Sequence, residues 1–224
     1  MANNAIIVVL NTKILKYKTM KKIMFNDKYG LTQAVLESRK TMTRRLVSEG
    51  IIRMAKKEVE ICGGELTERI KDHTFYCYLD EVAVAQNYKE CWDVYQQRWK
   101  AVGDPENWRT PDAILGDDVQ SVKAWTNKMF VRANLMPHRI RITDIKIERL
   151  QDISDEDCMK EGIKCYPSDV MPYLYAFDNN HCHGYSSPKE AFARLIDKVS
   201  GKGTWDRNPY VFAYTFELLK GGDQ

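Results

Sequence analysis

Hydrophobic residues alternate with polar residues, or run together over a few positions, in four short stretches of the chain. These stretches are residues 23–25, 81–87, 139–150 and 210–218. Because successive side chains of an extended chain point to opposite faces, each stretch predicts a β-strand. In the third stretch the alternation changes phase around Thr143-Asp144, which predicts a turn or a bulge within that strand.

Start and stop signals for helices bound two segments in the second half of the chain. Ser154, followed by acidic residues, is a typical N-cap, and Gly162 is a typical C-terminal residue, so they delimit a short helix. Ser187, followed by proline, begins a second helix that is predicted to end near Gly201. Residues 31–37 predict a third, short helix, whereas the periodicity of 46–79 is too weak to assign.

An aromatic stripe at helical spacing follows the second predicted strand. It consists of Tyr88, Trp92, Tyr95 and Trp99. Such a stripe stacks nucleic-acid bases in some single-strand binders, but it more often packs in a core, and we favour the core. Residues 103–116 are polar and contain two prolines, which predicts an inserted loop.

Short strands far apart in sequence, with helices between them and no regular βαβ alternation, predict an α+β fold built on a small antiparallel β-barrel with flanking helices. We expect one domain over residues 20–219, with insertions near 46–79 and 88–135, the latter including a helical segment. Residues 1–19 are expected to form an N-terminal extension outside the fold, with Met20 as an equally suitable start.

The composition is that of an ordinary soluble globular protein, since 44% of the 224 residues are hydrophobic and 29% are charged. The apolar run 5–10 is too short for an export signal or a membrane span, and no basic residue precedes it. The six cysteines form no CxxC pair, which favours free thiols in a reducing compartment. We therefore expect a cytoplasmic protein with no membrane partner.

The net charge of +3 hides an uneven distribution along the chain. Residues 13–57 contain 13 Lys and Arg against three Asp and Glu, whereas 58–224 contain 21 against 28. This asymmetry predicts a basic face that meets an anionic group such as phosphate, although some of these lysines are expected to be simply solvated.

The basic segment contains one cluster whose residue types could support catalysis, Ser38-Arg39-Lys40-Thr41-Met42-Thr43-Arg44-Arg45. A lysine beside a threonine hydroxyl acts as a general base only if burial or neighbouring cations lower its pKa toward neutrality. Arg39, Arg44 and Arg45 supply such cations. The alternative is a basic surface loop that binds phosphate without chemistry, and composition alone favours this alternative.

This cluster resembles the G-x-K-x-x-T-x-R signature of ASCH domains, a family of the PUA-like superfamily, with Ser38 in place of the glycine. Two further runs are similar to that family's barrel strand and later segment: 80–88 and 149–163, in which a carboxylate precedes a glycine. The run 205–212 is similar to the ending of phage and prophage ASCH-like proteins.

The resemblance implies a β-barrel that binds RNA or a modified nucleoside, and it implies possible amidohydrolase activity on acetylcytidine. It places the catalytic residues at Lys40, Thr43 and Glu161. The ligand-binding residues are expected to be Arg39, Arg44, Arg45 and Arg139. A noncatalytic RNA-binding module and a phage accessory protein that contacts another protein stay open as alternatives.

No cofactor and no metal is predicted. His181 and His183 would point the same way from a strand and could share a metal, but no nearby residue supplies further ligands. A solvent-exposed loop is the favoured interpretation of this pair.

Overall fold

The computed structural model describes residues 20–94, 123–168, 173–177 and 184–219. The strands are β1 (Lys21–Ile23), β2 (Met42–Leu46), β3 (Glu81–Val84), β4 (Arg139–Arg149), β5 (Lys164–Pro167), β6 (Tyr173–Ala176) and β7 (Tyr210–Leu219). The helices are α1 (Leu31–Leu36), α2 (Glu49–Cys62), α3 (Leu66–Asp72), α4 (88–94), α5 (Asp155–Lys160), α6 (Pro188–Ser200) and α7 (Thr204–Arg207). The predicted extension 1–19 and the predicted loop 103–116 lie outside the described residues.

Five strands form one sheet in the order β1-β3-β4-β7-β2, and β5 and β6 pair separately. The α+β class is therefore confirmed. The sheet itself is mixed, because β1 runs parallel to β3 while the other neighbours are antiparallel. Parallel pairing requires a long crossover connection, which α1, β2, α2 and α3 provide between these two strands. The described pairing leaves β1 and β2 at opposite edges, so it does not close the barrel that the sequence predicted.

The long strands β4 and β7 form the centre of the sheet and pair over most of their length. Their register shifts between Ile142 and Asp144. The extra residue on β4 is the bulge that the change of phase predicted. It bends β4, and it allows side chains on both sides of the bulge to reach the core.

Serine N-caps fix the two helices that were predicted in the second half of the chain. The Asp157 backbone N–H donates to Ser154 Oγ at 3.1 Å, and the Glu190 backbone N–H donates to Ser187 Oγ at 3.1 Å. Gly162 ends the first of these segments with a φ of 100°, a conformation that favours glycine. The sequence did not predict α2 and α3, which occupy 46–79 and pack against each other.

The core has two parts, one on each face of β3. Val82 and Val84 join the main cluster, whereas Ala83 and Ala85 join a smaller one that includes Tyr88. Both faces of β3 are therefore buried, as its apolar run predicted. Tyr88 is 2% exposed, so the first residue of the aromatic stripe belongs to the core. Tyr95 and Trp99 lie outside the described residues.

Candidate functional site

A cavity of about 370 Å³ lies between the chain that leaves β1 and the edge strand β2. Its polar lining residues are Asn26, Lys40, Thr43, Arg44, Arg45, Glu161 and Ser200. Its apolar lining residues are Met24, Phe25, Leu31, Leu46, Phe192, Leu195, Ile196 and Val199. The structure thus brings the three predicted catalytic residues to one cavity, although Glu161 lies over a hundred positions from the other two in sequence.

The turn after α1 carries Lys40 into this cavity. Ser38 has a φ of 57°, which is the left-handed conformation that glycine adopts most easily. The backbone N–H of Lys40 then donates to Ala34 O at 2.9 Å, and that of Thr41 donates to Lys160 O at 2.9 Å. These bonds join the segment to α1 on one side and to α5 on the other. Ser38 therefore adopts the glycine-type conformation at the position where the ASCH signature has glycine.

Lys40 forms a buried ion pair with Glu161. Lys40 Nζ donates to Glu161 Oε2 at 2.5 Å and to the Glu161 backbone oxygen at 2.7 Å. The lysine is 2% exposed. Burial lowers the pKa of Lys40 below its ordinary value, and this effect outweighs the opposing attraction of the Glu161 carboxylate. The amine therefore loses its proton more easily than that of an exposed lysine.

Arg44 lies behind this pair and contacts three carboxylates. Its Nη1 donates to Glu161 Oε1 at 3.2 Å, its Nη2 donates to Glu148 Oε1 at 2.6 Å, and Nη2 also donates to Asp157 Oδ2 at 3.2 Å. Burial lowers the pKa of Arg44, but the attraction of the Glu161 and Glu148 carboxylates has the larger combined effect, so the pKa of Arg44 is raised. The two oxygens of Glu161 thus each accept from a different buried cation.

This network changes the interpretation of the basic segment. Lys40, Arg44 and Lys21 are each paired with carboxylates from the acidic part of the chain; Lys21 pairs with Asp80 at 3.0 Å. Part of the local positive charge is therefore neutralised inside the fold. The predicted basic face is smaller than the count of residues implied.

Thr43 and Arg45 share the same strand and face the cavity. Thr43 is 5% exposed and lies opposite Tyr214 of β7. Arg45 Nη2 donates to Met24 O at 2.6 Å, and Arg45 Cζ lies 5.7 Å from the centre of the Phe25 ring. In the described part of the chain, Arg45 forms no ion pair within 4.0 Å, and its guanidinium is held by these backbone and aromatic contacts.

The other two predicted binding residues lie elsewhere. Arg39 is exposed and its Nε donates to Glu37 at 2.6 Å. Arg139 lies on β4 opposite Ala83 and Leu219. Neither lines the cavity.

Glu148, Asp157 and the wall that α6 contributes to the cavity were not predicted from the sequence. Distant carboxylates could have been expected, because a buried guanidinium requires several acceptors and the residues next to Arg44 in sequence supply none. The signal for α6 is the spacing of Phe192, Leu195, Ile196 and Val199 along one helical face.

Metal binding has no support in the described ranges, where no group of three His, Cys, Asp or Glu residues is placed to hold an ion. His181 and His183 lie outside those ranges. Across the described helices, none combines the length and the hydropathy that crossing a membrane requires.

Comparison with known proteins gave no relative: no protein-family model matches the chain, and neither the curated proteins nor the solved structures contain a match.

Proposed function

We propose that the cavity binds a modified nucleoside and hydrolyses its N-acyl amide, as in acetylcytidine. The observation that carries this proposal is the 2.5 Å contact between Lys40 Nζ and Glu161 Oε2, in a cavity that Thr43 also lines. A buried lysine with a lowered pKa, fixed by a carboxylate in a cavity that a threonine also lines, has the parts of a general-base site. A cavity of about 370 Å³ is within the usual range for small-molecule sites.

We also propose that the fold is an open form of the PUA-like barrel and that the chain is an ASCH-like protein. The two edges of the sheet approach each other at the cavity, because Arg45 of β2 donates to Met24 O just beyond β1. A side chain thus spans the gap where a closed barrel would have a ladder of backbone hydrogen bonds. The cavity would occupy this gap.

The reaction begins with neutral Lys40. Its amine accepts a proton from a water molecule as the water oxygen attacks the acyl carbonyl carbon, or from the Thr43 hydroxyl if that oxygen is the nucleophile. A tetrahedral intermediate forms and its former carbonyl oxygen becomes an oxyanion. The Lys40 ammonium then returns the proton to the nitrogen of the base as the carbon–nitrogen bond breaks. With water as nucleophile, the products are a carboxylic acid and the free amine. With Thr43 as nucleophile, the free amine leaves first, and a water molecule then hydrolyses the acyl ester on Thr43 to release the carboxylic acid and restore the hydroxyl.

Glu161 and Arg45 have distinct roles in this scheme. Glu161 is a positioning residue, because its two oxygens hold Lys40 and Arg44 and it keeps the amine in place between proton transfers. Arg45 is the cation that faces the cavity without a carboxylate partner in the described chain, and it would stabilise the oxyanion.

The test is hydrolysis of acetylcytidine, followed by chromatography of the released cytidine. Lys40→Met keeps a long unbranched side chain at the buried position but removes the base, and the expected loss in kcat is about 100-fold or more. Thr43→Val removes the hydroxyl at nearly constant volume and is also expected to lower kcat. Lys146→Met, at an exposed position on β4, is the matched control and should retain full activity.

A folded wild-type protein that releases no cytidine would overturn the proposal. If that protein instead bound RNA with an affinity that falls steeply as salt concentration rises, the noncatalytic module would replace it, since phosphate contacts release counterions.

A further inference from the structure

We infer that the cavity selects nucleosides whose acyl group is longer than acetyl. This inference rests on the proposed function, and it concerns the class of substrate that the same site accepts. Polar and apolar side chains are unevenly distributed over the cavity wall.

The scissile amide has to lie deep in the cavity. Lys40 is 2% exposed and its amine is fixed by Glu161, so the carbonyl must come to the lysine rather than the reverse. Thr43, at 5% exposure, lies at a similar depth. The two ends of the substrate then extend from this point, one toward solvent and one along the buried wall.

The nucleoside end belongs at the mouth. Asn26 and Ser200 are half-buried lining residues with polar side chains, and the more exposed lining residues Met24, Leu46 and Val199 are apolar. The sugar and any attached phosphate require water or polar partners, because burying an unpaired polar group is unfavourable.

The acyl end then faces an apolar floor. The floor is formed by the buried side chains of Phe25, Leu31, Phe192, Leu195 and Ile196, none of which is more than 7% exposed. Three of them come from α6, whose apolar face continues outward to Val199, which is 39% exposed. An acetyl group has one methyl to place against five apolar side chains. A longer chain removes more of its own apolar area from water when it lies against these side chains.

The size of the effect follows from the free energy of burying methylene groups. Each buried methylene is expected to tighten binding by about fourfold. From acetyl to butyryl, two methylenes should therefore raise kcat/KM by about 15-fold, until the chain fills the floor. A cavity that only tolerated the chain would show no increase.

The experiment measures two quantities for cytidines that carry acetyl, propionyl, butyryl and hexanoyl groups on the amine. Affinity is measured by calorimetry with the Lys40→Met protein, which retains the floor but lacks the base, and kcat/KM is measured with the wild type. We expect both quantities to rise from acetyl to butyryl. Affinity that is flat or falls along the series overturns the inference.

Substitutions in the floor test the location of the chain. Leu195→Ala enlarges the floor and should shift the preferred acyl group to a longer one, and Ile196→Phe fills it and should shift the preference to a shorter one. Ile61→Ala, at an exposed position on α2 outside the cavity, should leave the preferred length unchanged. If Leu195→Ala does not fold, Ile196→Phe still decides, because an unchanged preference there overturns the inference.

The two proposals fail in different ways. If affinity rises with chain length but no cytidine is released, the hydrolase proposal falls and the acyl-binding floor stands. If acetylcytidine is hydrolysed and affinity does not depend on chain length, the hydrolase stands and this inference falls.

Discussion

The replacement of Glu161 by glutamine tests the buried ion pair directly. Glutamine keeps the shape of the side chain, but its amide has one oxygen where the carboxylate has two. Lys40 and Arg44 each donate to one of those oxygens at present, so one of the two cations will face an amide N–H. Arg44 retains Glu148 and Asp157, whereas Lys40 loses the only carboxylate that lies within 4.0 Å of it in the described chain.

The expected loss in the free energy of unfolding at pH 7 is about 3–5 kcal/mol, the usual cost of removing one partner of a buried pair. An upper limit follows from titration. If the folded variant cannot hold a charged Lys40, the lysine releases its proton. At pH 7 the free-energy cost of this release is about 1.4 kcal/mol for each pH unit below its ordinary pKa of 10.5. The loss in the free energy of unfolding is therefore limited to about 5 kcal/mol.

The pH dependence has a defined sign. In the variant, the folded-state pKa of Lys40 falls further below its unfolded value, so the unfolded chain binds more protons than the folded one. Stability then rises with pH, by about 1.4 kcal/mol per unit at most. The difference between variant and wild type should therefore shrink above pH 7 until the wild-type Lys40 itself loses its proton.

The assay is urea unfolding followed by circular dichroism at pH 7, 8 and 9. Glu217→Gln on β7 is the matched control, because Glu217 is 56% exposed and pairs with Arg141 at the surface; it should change stability by less than about 1 kcal/mol. A loss for Glu161→Gln as small as that of the control, or a loss that grows from pH 7 to pH 9, would refute the reasoning.

Three further outcomes are expected. Ser38→Gly should stabilise the fold by about 0.5–1 kcal/mol in urea unfolding. Glycine removes the strain of the left-handed φ of 57°, and this gain exceeds the extra chain entropy that glycine loses on folding. A loss of stability would contradict this. The acidic limb of kcat/KM for acetylcytidine should have its midpoint below 10.5, since burial lowers the pKa of Lys40, and a midpoint at or above 10.5 would exclude a buried base. Iodoacetamide with mass spectrometry should label exposed Cys62 and spare Cys158 in the native protein, because burial raises the pKa of Cys158 to about 12; equal labelling would contradict its burial.

Local signals in the sequence were sufficient for several elements of the fold. The change of phase at Thr143 predicted the bulge of β4, and the serine caps predicted α5 and α6, because these features depend on neighbouring residues only. The arrangement of the sheet depends on distant pairing. The parallel contact of β1 with β3 has no local signature, since β1 has only three residues.

The sequence also predicted part of the candidate site but not all of its contacts. Lys40, Thr43 and Glu161 were found from the resemblance to a signature, and the structure brings them to one cavity. Arg44 was expected to contact a ligand; it lines the cavity, and its contacts with Glu148 and Asp157 were not predicted. The alternation of a strand shows which residues share a face, but it does not show which distant carboxylates meet that face.

The buried pair links stability to the proposed chemistry. A lysine can act as a base near neutral pH only if its environment disfavours the charged form, and burial supplies that environment at a cost in stability. Glu161 limits the cost, because it stabilises the ammonium, but the same attraction works against proton release. Arg44 moderates that attraction, since it competes for the same carboxylate and its own positive charge also lowers the pKa of Lys40. The pKa of Lys40 thus depends on both Glu161 and Arg44. A substitution at either one should change both the stability of the fold and the pH at which the site acts.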